Sequence, residues 1–271
     1  MNRLHLTAFA ALATAACAPA VNSRGGLPNQ PTPVQLASAT AAQVDTLWQK
    51  ADGYFRRGKW GDAQAALERL NLEFAPGDPR VARARFELAE CYLESKSHLQ
   101  AVREFRRVSD DLPGDELAPE ALLRAGDAYT ELWRRPELDP TYAQTAIQTY
   151  RELQSRYPGT AAARRSVARV QGLEDLLAFK QYESAMYYVK YKAYDSAIIY
   201  FKDLAATYPR APITPTALVQ LVGIYKLLGY QEDVNDTCGY LGRTAPSAPG
   251  VSDACPGPSA PPMPVAPGAH G

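Results

Sequence analysis

Small, aromatic and large apolar residues follow one another along this chain in a spacing that recurs five times. Each copy has a small residue, an aromatic residue three positions later, a second small residue, and large apolar residues four and seven positions beyond that. Small side chains let two helices approach closely, and the aromatic ring fills the space beside them. The spacing predicts antiparallel helix pairs, which must stack because one pair cannot bury its own apolar face. The five copies begin at Ala51, Ala89, Gly126, Ala185 and Val222.

These spacings resemble the tetratricopeptide repeat (TPR), in which each unit is one helix pair. We therefore expect an all-α solenoid of five TPR-like units. Their starts lie 38, 37, 59 and 37 residues apart, so the third interval holds 22 extra residues. Eight of these, which include Pro136 and Pro140, are expected to form a loop. The other fourteen fall within a helix, where about four added turns keep the packing face in register.

The helix that takes up these fourteen residues is predicted to be unusually long, from Ala161 to about Tyr191. Thr160 is a suitable N-cap, and no proline interrupts the segment. About 31 residues at about 1.5 Å each give a rod of about 46 Å, which must connect two halves of the protein. We expect Gly172 to mark a close helix crossing. A short turn should lead into a second helix, Tyr194 to Tyr208.

The turn between the two helices of a unit has a recurring position that favours glycine. Gly58 and Gly229 follow the first helix of their units, where a left-handed residue is expected. Lys96 and Lys192 occupy this position in units 2 and 4, which predicts strained or differently wound turns there.

Composition argues against several classes of function. The chain has 29 basic and 29 acidic residues, so no basic surface favours a nucleic acid partner. After residue 17, no apolar run approaches the roughly 20 residues that cross a bilayer. The three histidines, His5, His98 and His270, lie far apart, and no nucleotide-binding or nucleophile motif is present. We expect no catalytic residues, no cofactor and no metal site, and hence no enzyme.

The N-terminus predicts export. Arg3 precedes an apolar stretch, Leu6 to Ala16, and small residues lead up to Cys17. This is typical of a bacterial lipoprotein signal over residues 1–16, cleaved so that Cys17 becomes the lipidated first residue. Thr14 departs from the usual leucine of that signal. The alternative is an ordinary signal peptide that leaves Cys17 as an incidental thiol.

Proline-rich segments set the expected boundaries. Residues 17–42 read as a flexible lipidated tether and residues 244–271 as a disordered tail, because neither can bury enough apolar area to fold. Between them, residues 43–158 hold units 1 to 3, and residues 159–243 hold units 4 and 5 with the long helix.

The cysteines beyond Cys17 leave one question open. Cys91 lies inside a predicted helix and is expected to be a small buried hydrophobe. Cys238 and Cys255 could form a disulfide that ties down the tail in an oxidising compartment. A buried Cys238 with a free Cys255 is the alternative.

A candidate peptide-binding groove follows from the first helices of units 1 and 2. Helical spacing places aromatic and charged residues of these helices on one face, beyond the residues that hold each pair together. Exposed aromatics beside charges suit an extended peptide. The alternative is that they pack on neighbouring units, and for the stripe Phe179, Tyr182 and Met186 of the long helix such packing is favoured. The groove residues are Trp48, Asp52, Phe55, Arg56, Phe86, Glu90, Leu93 and Glu94.

The repeats, the lipoprotein-like start and the overlong helix together resemble the BamD family of outer-membrane assembly lipoproteins. Two segments carry the resemblance: LDPTYAQTAIQTYRELQSRYPGT at Leu138 to Thr160, and LEDLLAFKQYESAMYYVKYKAYDSAI at Leu173 to Ile198. Gln181, Lys192 and the start of the chain depart from the family pattern. The resemblance covers about Val44 to Arg243.

The resemblance implies a periplasmic scaffold of the β-barrel assembly machinery, anchored by its lipid to the outer membrane. It implies docking on BamA-like periplasmic domains through the C-terminal half, together with other lipoproteins of the machinery. The N-terminal units would bind unfolded outer membrane β-barrel proteins. A periplasmic TPR coordinator or pilotin for cell-wall or secretin assembly is the alternative, although residues 18–42 lack the heptads of a coiled coil.

Overall fold

The computed structural model describes residues 33–135 and 139–255, with side chains from residue 41 onward. Apart from turns, these residues are helical, which confirms the predicted all-α fold. By compactness the chain divides after Gln43, and all packing discussed below lies within Val44–Gly271. The helices of the described residues are α1 Pro33–Arg56, α2 Trp60–Glu73, α3 Val81–Glu94, α4 His98–Asp111, α5 Ala118–Leu132, α6 Thr141–Arg156, α7 Ala161–Lys190, α8 Tyr194–Thr207, α9 Thr214–Leu228, α10 Gln231–Thr244 and α11 Val251–Ala254.

Helices α1 to α10 form the five predicted TPR-like pairs. From α2 to α10 each helix packs on the next, and α1 shares a hydrophobic core with α2 and α3. The short turns inside units 1, 2, 4 and 5 require one left-handed residue each. Gly58 and Gly229 have φ of 66° and 78°, and Lys96 and Lys192 have φ of 60° and 58°. Lysine is disfavoured in this region, so the strain predicted for units 2 and 4 is present.

Small residues control how closely the paired helices approach, as the spacing predicted. Ala51, Ala63, Ala89 and Ala101 are all completely buried. In unit 3 the small residue is Gly126, and a Cβ there would lie 2.3 Å from a ring carbon of Tyr150. Only a glycine leaves room for this buried ring.

Helix α7 has the predicted length and cap. Its 30 residues start after Thr160, whose hydroxyl accepts a hydrogen bond from the Ala163 amide at 3.2 Å. Leu173 and Leu177 pack in a core formed with α5 and α6. About two turns further on, Ala185 belongs to a different core, formed with α8 to α11. The extension thus lets one helix serve two successive hydrophobic cores.

Three expectations about the boundaries and the long helix were wrong. Helix α1 begins at Pro33, so residues 33–42 are helical and not a flexible tether. The tail does not begin at residue 244, because Val251 of α11 is buried and a disulfide joins Cys255 to Cys238 in α10. Gly172 marks no close crossing, since nothing lies within 4 Å of a Cβ built on it.

Several expectations fall outside the described residues: the signal over residues 1–16, lipidation of Cys17, the tether over residues 17–32, the middle of the loop at Pro136, and the tail from residue 256. Within the described part, no helix combines the length and apolar character needed to cross a membrane.

Candidate peptide-binding site

The apolar residues of the predicted groove do not project freely from the first helices. Trp48 is half-buried, with its ring 6.5 Å from that of Phe74. Phe86 meets the fully buried ring of Phe105 edge-on at 5.2 Å. The expectation that these side chains are not needed for packing was therefore wrong, because both rings fill gaps between helices.

The other two apolar groove residues are also held by neighbours. Phe55 lies edge-on to Trp60 at 5.5 Å, and Leu93 is buried. Of the stripe on α7, Tyr182 and Met186 pack against the core of units 4 and 5, as favoured from the sequence. Phe179, in contrast, is 46% exposed.

The charged groove residues form ion pairs between successive first helices. Asp52 of α1 accepts from Arg56 at 2.9 Å and from Arg83 of α3 at 2.7 Å. The Arg83 guanidinium also lies 5.4 Å from the Trp48 ring centroid and pairs with Glu87 at 2.7 Å. Burial raises the pKa of the Glu87 carboxyl, although Arg83 opposes this. These contacts hold α1 and α3, the first helices of units 1 and 2, side by side.

A second set of ion pairs continues along α3, α5 and α7. Arg124 donates two hydrogen bonds to Glu90, at 2.7 and 2.6 Å, and these bonds raise the arginine pKa. Asp127 accepts from Arg169 of α7 at 2.7 Å and from the Tyr150 hydroxyl at 2.7 Å. Burial raises the pKa of Tyr150, so this hydroxyl stays a donor at neutral pH.

One repeat position supplies the carboxylates of this array. The position directly after the small residue that begins units 1 to 3 is occupied by Asp52, Glu90 and Asp127. Successive members of this set lie 38 and 37 residues apart. Each pairs with an arginine on the first helix of the next unit. In units 4 and 5 this position holds Met186 and Gly223. We call the side formed by α1, α3, α5 and α7 the first-helix face.

The sequence-based reasoning missed the arginines Arg83, Arg124 and Arg169 as partners. The available signal was the recurrence of a carboxylate at one repeat position. Such a recurrence predicts a shared partner on the neighbouring unit, whereas each carboxylate considered alone suggests only a solvated helix face.

A cavity of about 510 Å³ opens on the first-helix face beside the second ion-pair set. Two of the predicted groove residues, Leu93 and Glu94, line it. His98 also lines it and is only 7% exposed, and its Nδ1 atom has no hydrogen-bond partner among the described residues. Burial lowers the pKa of this imidazole, so it is neutral at pH 7. The remaining lining residues are Lys96, Arg124, Asp127, Thr130, Glu131, Tyr150, Arg169, Gly172, Leu173 and Leu176.

This cavity combines the chemistry that an extended peptide needs. Leu176 is 46% exposed and offers apolar contact, while charged and hydroxyl groups surround it. Glu94 and Lys96 are exposed at its mouth. The structure thus gathers Leu93 and Glu94 around one opening, and Glu90 pairs with Arg124 in its wall, whereas Phe55 and Phe86 lie inside helix pairs. In the described part of the chain, no group of three or more His, Cys, Asp or Glu side chains could hold a metal ion.

Comparison with known proteins adds the family to this geometry. The model of the YfiO family, described as outer membrane lipoprotein, matches residues 40–239. The chain belongs to this family. The matched range contains all five helix pairs except the start of α1 and the end of α10, so it includes the cavity and the ion-pair array.

Curated relatives of this YfiO family member are named outer membrane protein assembly factor BamD. The one from Neisseria gonorrhoeae is 25% identical over 269 residues, which cover 94% of this chain and 95% of the relative. The one from Xylella fastidiosa is 24% identical over 219 residues, covering 76% and 73%. Among solved structures, the TPR domain of P58(IPK) is similar over 83% of this chain and 59% of its own, with a TM-score of 0.44 and 16% identity. At the level of the family, the role of this chain is therefore in outer membrane protein assembly.

Proposed function

We propose that this chain is an outer-membrane-anchored periplasmic scaffold of the β-barrel assembly machinery. Cys17 carries the lipid anchor, units 4 and 5 dock on BamA-like periplasmic domains, and the first-helix face of units 1 to 3 binds unfolded outer membrane proteins. The observation that carries this proposal is the family match over residues 40–239, together with relatives named as BamD assembly factors.

The division of labour between the halves is supported by their different surfaces. Units 1 to 3, together with the first half of α7, form the ion-pair array and the cavity lined by His98, Glu94 and Leu176. An unfolded barrel protein offers alternating apolar and polar side chains and unpaired backbone groups. The exposed Leu176 side chain can contact the apolar side chains, and the charged groups of the cavity can hydrogen-bond to the polar side chains and the unpaired backbone groups.

Units 4 and 5 supply no carboxylate to the array, since Met186 and Gly223 occupy that position, and beyond the first half of α7 they have a separate surface for a folded partner. A cavity of about 410 Å³ lies between α8, α9 and α10, and Tyr240 at its edge is 37% exposed. Leu218 and Tyr225 form its base, with Asp233 and Asp236 beside them. An apolar centre surrounded by charged residues is typical of a protein-docking surface.

Site-specific photo-crosslinking in cells tests both halves in one experiment. A photoreactive residue at Glu94 should crosslink to unfolded outer membrane proteins, and one at Tyr240 should crosslink to the BamA-like protein. Leu72 on α2 is the matched control, because its side chain is 87% exposed but lies on a second helix. Crosslinks at Glu94 that equal those at Leu72 would refute the substrate site.

The partner identified at Tyr240 separates the proposal from a coordinator or pilotin. Recovery of a secretin or a cell-wall synthase, without a BamA-like protein, would favour that alternative. Replacing Cys17 with serine tests the anchor. The variant should leave the outer membrane fraction when the BamA-like protein is depleted, and continued membrane association under that condition would contradict lipidation.

A further inference from the structure

Four tyrosines form an aromatic surface in unit 4, which we call the tyrosine cluster: Tyr187 and Tyr188 of α7, Tyr191 directly after α7, and Tyr200 of α8. The Tyr187 ring lies 4.7 Å from Tyr191 and meets Tyr188 edge-on at 5.7 Å. Tyr188 stacks on Tyr200 at 5.0 Å. Although the rings contact one another, Tyr187 is 58% and Tyr191 is 62% exposed. The cluster therefore presents a preformed aromatic surface to solvent.

A shallow groove of about 360 Å³ runs along this cluster. Its walls are the rings of Tyr187, Tyr188 and Tyr200, and its other lining residues are Lys180, Glu183 and Ser184. Aromatic rings held at steep angles to one another form slots that accept proline rings, which is how proline-rich segments in polyproline II conformation are recognised. Such segments bind at a low entropic cost because proline already restricts their backbone.

The chain itself contains a segment with this chemistry. Residues 256–271, PGPSAPPMPVAPGAHG, include six prolines and no Asp, Glu, Lys or Arg. The segment follows Cys255, which is covalently joined to Cys238 of α10. For the tyrosine cluster of the same chain, this tether raises the effective concentration of the segment to the millimolar range.

The start of this segment lies at the same edge of the stack as the tyrosine cluster. Because successive helices run antiparallel, α7 and α9 both end at this edge. The Lys226 ammonium in the last turn of α9 donates to the Ala254 carbonyl at 2.6 Å, which places the end of α11 there. Leu227, in the last turn of α9, is 64% exposed, and Tyr230, just before α10, is 46% exposed. They extend the apolar character of this edge.

The length of the segment is sufficient for this contact. Sixteen residues in polyproline II conformation reach about 50 Å at about 3.1 Å each. Neighbouring packed helices lie about 8–10 Å apart, and only α8 separates α9 from α7 in the stack. We propose that residues 256–271 fold back along this edge and dock on the tyrosine cluster in an extended, proline-mediated contact.

Paramagnetic broadening in the full-length chain tests this docking. The chain carries Cys17→Ser and His270→Cys, and a nitroxide is attached to the new thiol; Cys91 is buried and does not compete. The tyrosine rings are isotope-labelled for NMR. A site with a Kd of about 1 mM would be roughly half occupied at the effective concentration of the tether, so the Tyr187 and Tyr191 signals should lose at least about half of their intensity.

The matched controls are Tyr142 and a variant of equal length. Tyr142 of α6 is 38% exposed but lies in unit 3, so its signal should stay unchanged. Pro261→Ser, Pro262→Ser and Pro264→Ser together should restore the Tyr187 and Tyr191 signals. Equal broadening at Tyr142, or broadening that survives the serine replacements, would overturn the proposal.

A mixed sample separates this docking from its intermolecular alternative. Isotope-labelled chains without nitroxide are combined with unlabelled chains that carry it. The proposal requires that the cluster signals stay sharp in this mixture. Broadening there would show that the cluster binds a second copy, and would overturn docking within one chain.

Discussion

Two alanine substitutions at glycines of the same solenoid should change its stability in opposite directions. Gly126→Ala places a methyl group 2.3 Å from a ring carbon of Tyr150, which is only 1% exposed and cannot move into solvent. Gly172→Ala adds the same methyl group to a helix interior where nothing lies within 4 Å. Both glycines lie in first helices, α5 and α7, so the pair compares two environments with one chemical change.

The expected magnitudes follow from the contacts of Tyr150. Overpacking costs roughly 1–3 kcal/mol. Displacing the ring also breaks its 2.7 Å hydrogen bond to the Asp127 carboxylate, which adds roughly 1.5–3 kcal/mol. Alanine regains about 1 kcal/mol of helix propensity at either position. Gly126→Ala should therefore lower the free energy of unfolding by roughly 1.5–5 kcal/mol, whereas Gly172→Ala should raise it by about 1 kcal/mol.

Urea unfolding followed by circular dichroism measures both changes. Thermal unfolding should show the same order, with a rise of about 2–4 °C in Tm for Gly172→Ala. Combining Gly126→Ala with Tyr150→Leu should cost less than the two single changes added together, because the smaller side chain relieves the conflict. Equal midpoints for the two alanine variants would refute the role assigned to Gly126.

Three further predictions concern the disulfide and the ion pairs. Replacing Cys238 and Cys255 with serine should speed amide exchange in residues 245–255 by reducing their opening free energy by at most about 3 kcal/mol; unchanged exchange would contradict this. Arg124→Lys keeps the charge but loses the paired hydrogen bonds to Glu90, so urea unfolding should shift by about 1 kcal/mol, and no shift would show that the charge alone suffices. Burial acts to raise the Glu152 pKa, but hydrogen bonds from two arginines outweigh it and lower the pKa, so Glu152→Gln should destabilise at pH 7 and lose its effect progressively as the pH falls from the ordinary glutamate pKa of about 4.3 through the lowered pKa of the folded state; a pH-independent effect would contradict this pairing.

The helix pairs could be predicted from spacing because the packing of small and aromatic residues is local to each unit. The number of residues between two positions determines which side of a helix each one occupies. For this reason the length of α7 and the positions of the left-handed turns could be predicted from the sequence. The spacing does not determine what a neighbouring unit places opposite that side. Phe86, for example, lies on the predicted face, yet its ring reaches Phe105.

The C-terminal boundary shows a different limit of sequence reasoning. Proline-rich composition suggested a tail from Thr244 onward, because few apolar residues occur there. One buried valine, Val251, and the bond between Cys238 and Cys255 are enough to hold the next eleven residues against α9 and α10. Whether Cys238 and Cys255 form a disulfide or remain free thiols depends on the distance between them in the folded chain, and composition contains no information about that distance.

Helix α7 has a mechanical consequence for the whole stack. A hinge needs a residue that can absorb a change in backbone angles, and α7 passes from one hydrophobic core to the next as continuous helix without a turn or proline. A tilt imposed on its first half is therefore transmitted to its second half as a rigid lever. With 30 residues the lever is about 45 Å long, so a rotation of about 5° at one end displaces the other by about 4 Å.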